Sequence, residues 1–223
     1  MTPPSPQPSS APMPARSERI IETLDDVAEG AAWLAAAEPR FAHALAVSGP
    51  LPLRRNRDGF AALQRAIIGQ QVSVAAARAI ERKCVAAGIT GPRKVMWATD
   101  EDMRAVGLSR QKIRYLRELA AARIDWAGLR DQPTEAVVDR LVEVPGIGRW
   151  TAEIYAMFSL GRADVFAPND LALQEAARLL FDLPERPKEK ALRSMAEAWS
   201  PWRAVAARLL WAYYHVAKGR EGV

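Results

Sequence analysis

A short turn rich in proline and glycine, set between two amphipathic segments, constrains the fold of this chain more than any other feature. Pro145 fixes its own backbone angle, while Gly146 and Gly148 tolerate left-handed angles and the close approach of another backbone. The segments on both sides carry apolar residues at helical spacing. We therefore predict a helical hairpin over about residues 134–160.

The second helix of this hairpin is predicted to begin near Arg149. Free amide groups and the positive end of the helix dipole favour a bound anion there, and the Arg149 side chain adds a positive charge. The turn is thus a candidate clamp for a phosphate backbone, although similar turns join helices in proteins that never bind nucleic acid. The candidate contacts are Pro145, Gly146, Ile147, Gly148, Arg149 and Thr151.

The remaining chain is predicted to be all-α. From residue 20 onward the apolar residues recur at helical spacing, and no stretch shows convincing two-residue alternation. A chain of 223 residues, of which 49% are hydrophobic, can form one sizeable core or two small lobes. Residues 1–18 are rich in proline and serine, so we predict a disordered tail followed by a helical domain over residues 19–223.

Several classes of site and location are excluded by what the sequence lacks. Cys84 is the only cysteine, which rules out an internal disulfide and a four-cysteine metal site. His43 and His215 stand apart from any metal-ligand spacing. No apolar run is long enough to span a bilayer, and no secretory signal is visible, so we expect a cytoplasmic protein. The net charge of +5 suits a polyanionic partner but also many other proteins.

Asp170 is the candidate for chemistry, and its residue type allows two interpretations. An Asp just before a helix is a common N-cap. The adjacent Asn169 caps equally well, and Pro168 stiffens the approach, so the helix does not need Asp170 for that purpose. From the residues alone, a cap and a catalytic carboxylate remain equally open.

Four blocks in a fixed order connect these features to a known family. The blocks are residues 68–73, 145–152, 165–170 and 200–203. Together they resemble the helix-hairpin-helix (HhH-GPD) DNA glycosylases, and within that superfamily the branch of 3-methyladenine DNA glycosylase II. The resemblance implies two helical lobes with the hairpin at the cleft. We expect this chain to lack the N-terminal β-rich domain of the full-length branch.

The resemblance also implies an activity. Such an enzyme flips a damaged base out of double-stranded DNA and hydrolyses its N-glycosidic bond, which initiates base excision repair. The implied substrates are alkylated purines of the 3-methyladenine type, and Asp170 falls on the position of the essential aspartate. The expected enzyme is a monomer in the bacterial cytoplasm, associated with the nucleoid, and it requires no cofactor.

Trp150 occupies a diagnostic position in this resemblance. Family members that also cut the strand carry a lysine there, which attacks the sugar, so Trp150 implies a monofunctional enzyme. The lack of a four-cysteine iron–sulfur site agrees with this. Trp150 and Trp211 match two tryptophans that line the base pocket, although Trp211 is also compatible with simple core packing. Ile154 replaces a pocket tyrosine, with Tyr155 next to it.

Further roles follow from the same resemblance. Gln71, with Gln70, matches the residue that fills the gap left by a flipped base, though an ordinary polar loop is an alternative. The carbonyl groups of Val142, Val144 and Ile147 match the ligands of an alkali ion. A basic segment either tracks the DNA backbone or forms a solvated face, and it contains Arg110, Lys112, Arg114 and Arg117.

Two other functions remain open at this point. One is a glycosylase for deaminated or oxidised bases, which Ile154 allows. The other is a non-catalytic helix-hairpin-helix module that only binds or bends DNA. Asp170 argues against the module, because a carboxylate near a phosphate backbone would repel it.

Overall fold

The architecture is that of an all-α protein. The structure, a computed structural model, describes residues 18–219, and within that range the chain forms α-helices and no β-sheet. None of the described helices is long and apolar enough to cross a membrane. The helices are α1 Leu24–Ala37, α2 Pro39–Ser48, α3 Phe60–Gly69, α4 Val74–Ala86, α5 Gly91–Trp97, α6 Asp100–Ala105, α7 Arg110–Ala121, α8 Thr134–Val142, α9 Arg149–Tyr155, α10 Leu171–Leu180, α11 Glu189–Ala196 and α12 Arg203–Lys218.

Two hydrophobic cores divide these helices into two lobes, as the sequence predicted. The first lobe contains the two N-terminal helices and the three C-terminal helices, with Phe41 and Leu209 fully buried in its core. The second lobe contains α3 to α8, with Leu116 and Leu141 fully buried. The first lobe is therefore built from both ends of the chain, and the second is inserted between them.

The predicted hairpin is present and joins the two lobes. The helix α9 continues as a π-helical stretch, Ala156–Leu160, and Gly161 ends it in the left-handed conformation. Tyr155 packs in the second core, whereas Phe158 packs in the first. The second helix of the hairpin, α9, thus lies along the boundary between the lobes. This position places the turn and its neighbours beside the cleft.

The first turn of α8 is capped by a residue from far away in the sequence. The Glu18 carboxylate accepts a hydrogen bond from the Thr134 amide at 2.9 Å and a second one from the Thr134 hydroxyl. Arg162 pairs with the same carboxylate at 3.3 Å. The predicted tail was therefore one residue too long, since Glu18 is part of the domain. Residues 1–17 lie outside the described residues.

We predict that Gly30 is required for the packing of α1 on α12. A Cβ atom at Gly30 would lie 2.6 Å from Trp202 Cε3 and 2.7 Å from Val205 Cγ2. Gly30→Ala should lower the free energy of unfolding by about 1–3 kcal/mol because the buried contact is overpacked. Urea denaturation measures this change.

The control for this substitution is Gly69→Ala at the end of α3, where a Cβ would meet nothing within 4 Å. Alanine is the better helix former, so this variant should be as stable as the parent protein or slightly more stable. Equal stability of the two variants would contradict the packing argument.

Candidate active site

The Asp170 carboxylate caps α10 through one of its two oxygens, and the other oxygen accepts no backbone hydrogen bond from residues 18–219. Its Oδ1 accepts hydrogen bonds from the amides of Ala172 at 2.9 Å and Leu173 at 3.0 Å. The expectation that Asn169 serves equally well as the cap is wrong, because Asn169 is exposed and the helix begins directly after Asp170. The cap holds the carboxylate in one orientation, and this positions its second oxygen.

Two tryptophans donate their indole N–H groups to this same carboxylate. Trp150 Nε1 lies 3.0 Å from Asp170 Oδ2, and Trp211 Nε1 lies 3.3 Å from Asp170 Oδ1. Trp150 comes from the first turn of α9 and Trp211 from α12, so three helices meet at one carboxylate. Sequence reasoning treated both rings as pocket walls and missed these bonds, because the partners are 20 and 41 residues away.

A cavity of about 400 Å³ lies between α3 and α9. This volume falls within the range of small-ligand pockets, which is roughly 300–1,000 Å³. Three of the four predicted pocket residues line it, and Trp211 is not among the lining residues. The lining consists of Asn56, Ala62, Leu63, Arg65, Ala66, Gly69, Gln70, Trp150, Thr151, Ile154, Tyr155 and Ser159.

Ile154 and Tyr155 give this cavity an apolar wall. The Tyr155 hydroxyl accepts a hydrogen bond from the Gly59 amide at 2.9 Å, and its ring lies 6.2 Å from that of Trp126. Burial raises the pKa of Tyr155 to about 12, so the phenol stays neutral at physiological pH. The wall therefore offers aromatic and aliphatic surface to a flat ligand, with its one hydroxyl already engaged.

The two glycines of the turn have different reasons to be glycine. Gly146 has a φ of 95°, and a Cβ there would lie 2.3 Å from Tyr115 Cγ. Gly148 has a φ of −83°, and a Cβ there would meet nothing within 4 Å. Of the two reasons for glycine given by the sequence, Gly146 uses the left-handed angle, whereas Gly148 leaves open space at the start of α9, where another backbone can approach.

The Arg149 side chain is engaged within the protein rather than free for phosphate. It contacts Glu135, lies 3.2 Å from Glu153 and lies 3.7 Å from Asp139. Burial raises the pKa of Glu153, while Arg193 and Arg149 oppose that rise. Because three carboxylates surround the guanidinium, phosphate binding at the turn must rest mainly on backbone amides, which point outward at a helix start.

Ile147 and Thr151 are buried, whereas Pro145 is exposed at the turn. The side chains of the two buried residues are therefore occupied by packing. Of the six predicted contacts, Pro145 and Gly148 are exposed, and Gly146 and Arg149 are partly exposed.

The two candidate wedge residues, Gln70 and Gln71, lie next to each other between α3 and α4, but their surroundings differ. Gln70 Nε2 donates a hydrogen bond to the Gly146 carbonyl at 2.8 Å, so its side chain ties this loop to the turn. Gln71 is exposed and has a φ of 56°. Only Gln71 is therefore free to enter a duplex.

Lys112 shows that the basic segment is not simply a solvated face. It is buried, and its Nζ donates to the Ile68 carbonyl at 2.6 Å, near the end of α3. Arg117 in the same helix pairs with Asp100 at 2.6 Å. Both cations therefore bind groups within the second lobe. No pattern in the neighbouring sequence indicated these two contacts.

The described residues hold no group of histidine, cysteine, aspartate and glutamate side chains that could bind a metal ion. The hairpin carbonyls are a different kind of candidate. The Val144 carbonyl accepts the Ile147 amide at 3.0 Å, which leaves its second lone pair for a cation. These carbonyls therefore fit an alkali ion by donor type.

Sequence comparisons connect this arrangement to characterised relatives. The model of the HhH-GPD superfamily base excision DNA repair protein matches residues 64–202. DNA-3-methyladenine glycosylase 1 of Schizosaccharomyces pombe is 34% identical over 166 residues, which cover 70% of this chain and 72% of that protein. DNA-3-methyladenine glycosylase 2 of Escherichia coli is 30% identical over 168 residues, covering 69% and 57% respectively.

Solved structures of proteins with similar names also resemble the fold of this chain. A DNA-3-methyladenine glycosidase from Bacillus halodurans superposes with a TM-score of 0.73 at 30% identity, covering 85% of this chain and 91% of that one. The Schizosaccharomyces pombe 3-methyladenine DNA glycosylase, crystallised with abasic DNA, superposes with a TM-score of 0.71 at 28% identity. This match covers 85% of this chain and 97% of that one.

We predict that the two turn glycines can be separated experimentally. Gly146→Ala should lower the free energy of unfolding by at least about 2 kcal/mol, because it adds a left-handed non-glycine residue and a clash with Tyr115. Gly148→Ala should lower the free energy of unfolding by no more than about 1 kcal/mol, because glycine is preferred over alanine at an N-cap, but it should weaken binding to duplex DNA, since its methyl group stands where a phosphate backbone would approach. Thermal melts and fluorescence anisotropy measure the two effects.

Two duplexes of unrelated sequence provide the check on the second effect. A backbone clamp reads no bases, so Gly148→Ala should weaken binding to both duplexes equally. A loss confined to one sequence would contradict the clamp.

Proposed function

Because the chain belongs to the HhH-GPD superfamily of base excision DNA repair proteins, we propose that it is a DNA glycosylase acting on alkylated bases of the 3-methyladenine type. The observation that carries this proposal is a carboxylate held by two indole N–H groups, one of which belongs to the wall of a base-sized cavity. The relatives named above are alkylbase glycosylases. Release of the damaged base by such an enzyme initiates base excision repair.

The chemistry requires a fixed negative charge beside the sugar. Breaking the bond between base and deoxyribose builds positive charge on the sugar, as in other glycoside hydrolyses. The Asp170 carboxylate stabilises this charge, and its Oδ2 can also orient or deprotonate the attacking water. Alkylated purines already carry positive charge and leave readily, so the reaction needs no strong acid at the base.

Recognition of the base is assigned to the cavity. A cationic ring is attracted to aromatic faces by about 0.5–2 kcal/mol per contact. Trp150 and Tyr155 supply such faces, and Ile154 completes the apolar wall. Ile154 in place of a pocket tyrosine is where the lesion preference of this enzyme should differ from that of its relatives.

DNA is held by backbone groups of the turn, and the gap left by the flipped base is filled by Gln71. The carboxylate, the turn and the cavity all come from one chain, so the proposed reaction needs no second copy, and the proposed enzyme is a monomer. Its proposed substrate is damaged double-stranded DNA, and its proposed location is the nucleoid in the bacterial cytoplasm. An alkali ion on the carbonyls of Val142, Val144 and Ile147 would tighten the turn, and no cofactor is required.

Strand cleavage is not part of the proposed activity. Lyase-type relatives attack the sugar with the lysine that follows the hairpin arginine, and this chain has Trp150 there. An indole cannot form a Schiff base. The product is therefore an intact strand with an abasic site.

We predict that Asp170→Asn abolishes base release while DNA binding persists. Asparagine caps a helix as well as aspartate does, so the fold should be kept, while the charge and the acceptor that faces the Trp150 N–H group are removed. Base release from duplexes that carry a single 3-methyladenine-type lesion should fall by at least about 100-fold. Chromatography of the released base measures the change.

Asp102→Asn, in the capping box of α6, is the matched control and should retain activity. Comparable activity of the Asp170 and Asp102 variants would reduce Asp170 to a cap. Absence of release by the parent protein from any alkylated, deaminated or oxidised base would leave only the non-catalytic module.

A second prediction concerns the product. After complete base release, gel electrophoresis should show strand breaks only when the DNA is treated with hot alkali. Borohydride should trap no covalent complex, because no imine forms. Breaks without alkali would contradict the monofunctional assignment.

A further inference from the structure

Trp150 stands between the cavity and the carboxylate. Its ring lines the cavity, and its indole N–H is bonded to Asp170 Oδ2 at 3.0 Å. Asp170 itself is not among the residues that line this cavity. A nucleotide with its base in the cavity must bring its sugar against the carboxylate, so this indole has to leave Oδ2 before the reaction.

The two oxygens of Asp170 are unequally occupied. Oδ1 accepts three hydrogen bonds, from the Ala172 amide, the Leu173 amide and the Trp211 indole. Among the described residues, Oδ2 accepts only the bond from Trp150. Oδ2 is therefore the oxygen with capacity for water or sugar, and Trp150 controls access to it.

The two indoles also differ in how firmly they are held. Trp150 is 42% exposed, at the first turn of α9. Trp211 is half-buried, and its ring lies 5.8 Å from the ring of Phe158. The buried Arg208 guanidinium lies 4.8 Å from the centre of the same Phe158 ring. Trp211 is fixed by packing, whereas Trp150 can turn outward at little cost in buried surface.

We propose that Trp150 is a gate that couples recognition of the base to exposure of the catalytic oxygen. In the free enzyme the indole covers Oδ2. A cationic base entering the cavity draws the ring into a stacked position, and the cation–π attraction compensates for the lost hydrogen bond. A neutral purine offers less compensation, so Oδ2 stays covered and undamaged DNA is spared. The gate deepens the proposed function and rests on it.

Trp150→Phe tests the gate because it keeps an aromatic ring and removes the N–H donor. Single-turnover release is measured at saturating enzyme on two duplexes, one with a 3-methyladenine-type lesion and one undamaged. With the closed state no longer favoured, release of undamaged purine should rise by roughly tenfold, the scale of one hydrogen bond to a charged group. The rate on the damaged duplex should not rise, because Phe is the weaker cation–π partner, so the ratio of damaged to undamaged release should fall by at least about tenfold.

Trp211→Phe is the matched control, since it also removes one indole donor from Asp170. Trp211 positions the carboxylate throughout the reaction, so this variant should slow release from both duplexes and leave their ratio unchanged. An unchanged ratio in Trp150→Phe, or a fall in both rates like that of Trp211→Phe, would overturn the gate and leave Trp150 as a permanent positioning residue.

A measurement without turnover separates the gate from the proposed function. Indole N–H groups labelled with ¹⁵N report hydrogen exchange at Trp150 and Trp211 individually. Adding a duplex with one N-methylated, cationic purine nucleotide whose glycosidic bond is stabilised by a 2′-fluoro sugar should speed exchange at Trp150 but not at Trp211. Continued protection of Trp150 would overturn the gate, whereas loss of protection without base release from any lesion would overturn the proposed function alone.

Discussion

The convergence of four hydrogen-bond donors on the Asp170 carboxylate is the interaction on which the rest of this molecule depends. The donors come from the start of α10, from α9 and from α12. Hydrogen bonds to a charged acceptor are roughly twice as strong as neutral ones. The three bonds from α10 and α12 therefore hold this carboxylate in one orientation in the first lobe, and the bond from Trp150 connects it to the hairpin.

The turn of the hairpin is fixed just as firmly to the second lobe. Gly146 packs against Tyr115, and its carbonyl accepts a hydrogen bond from Gln70. The turn, the loop that carries Gln70 and Gln71 and one wall of the cavity are thus directly connected, and Gln71 is exposed. This rigidity suits an enzyme that must place one sugar beside one oxygen, because preorganised groups need no rearrangement when charge develops. Trp150, exposed at the junction, is the side chain that we propose to move.

The sequence predicted the local elements well because the signals for them are local. The hairpin and the all-α class both follow from spacing within a few residues. The branch of the family and the position of Asp170 followed from short ordered blocks. The predictions were wrong where a side chain forms a hydrogen bond with a residue that is distant in sequence. Glu18 caps α8 in this way, and Lys112 bonds to the Ile68 carbonyl.

What the sequence determined by itself is the list of elements and the identity of the groups available for chemistry: helices, a turn, a carboxylate and two tryptophans. The tertiary structure decided what these groups do to one another. It made Asp170 both a cap and a hydrogen-bond centre, paired Arg149 with three carboxylates, and placed the Trp150 indole on Oδ2. These outcomes depend on contacts between residues that are far apart in the chain, and helical periodicity carries no information about such contacts.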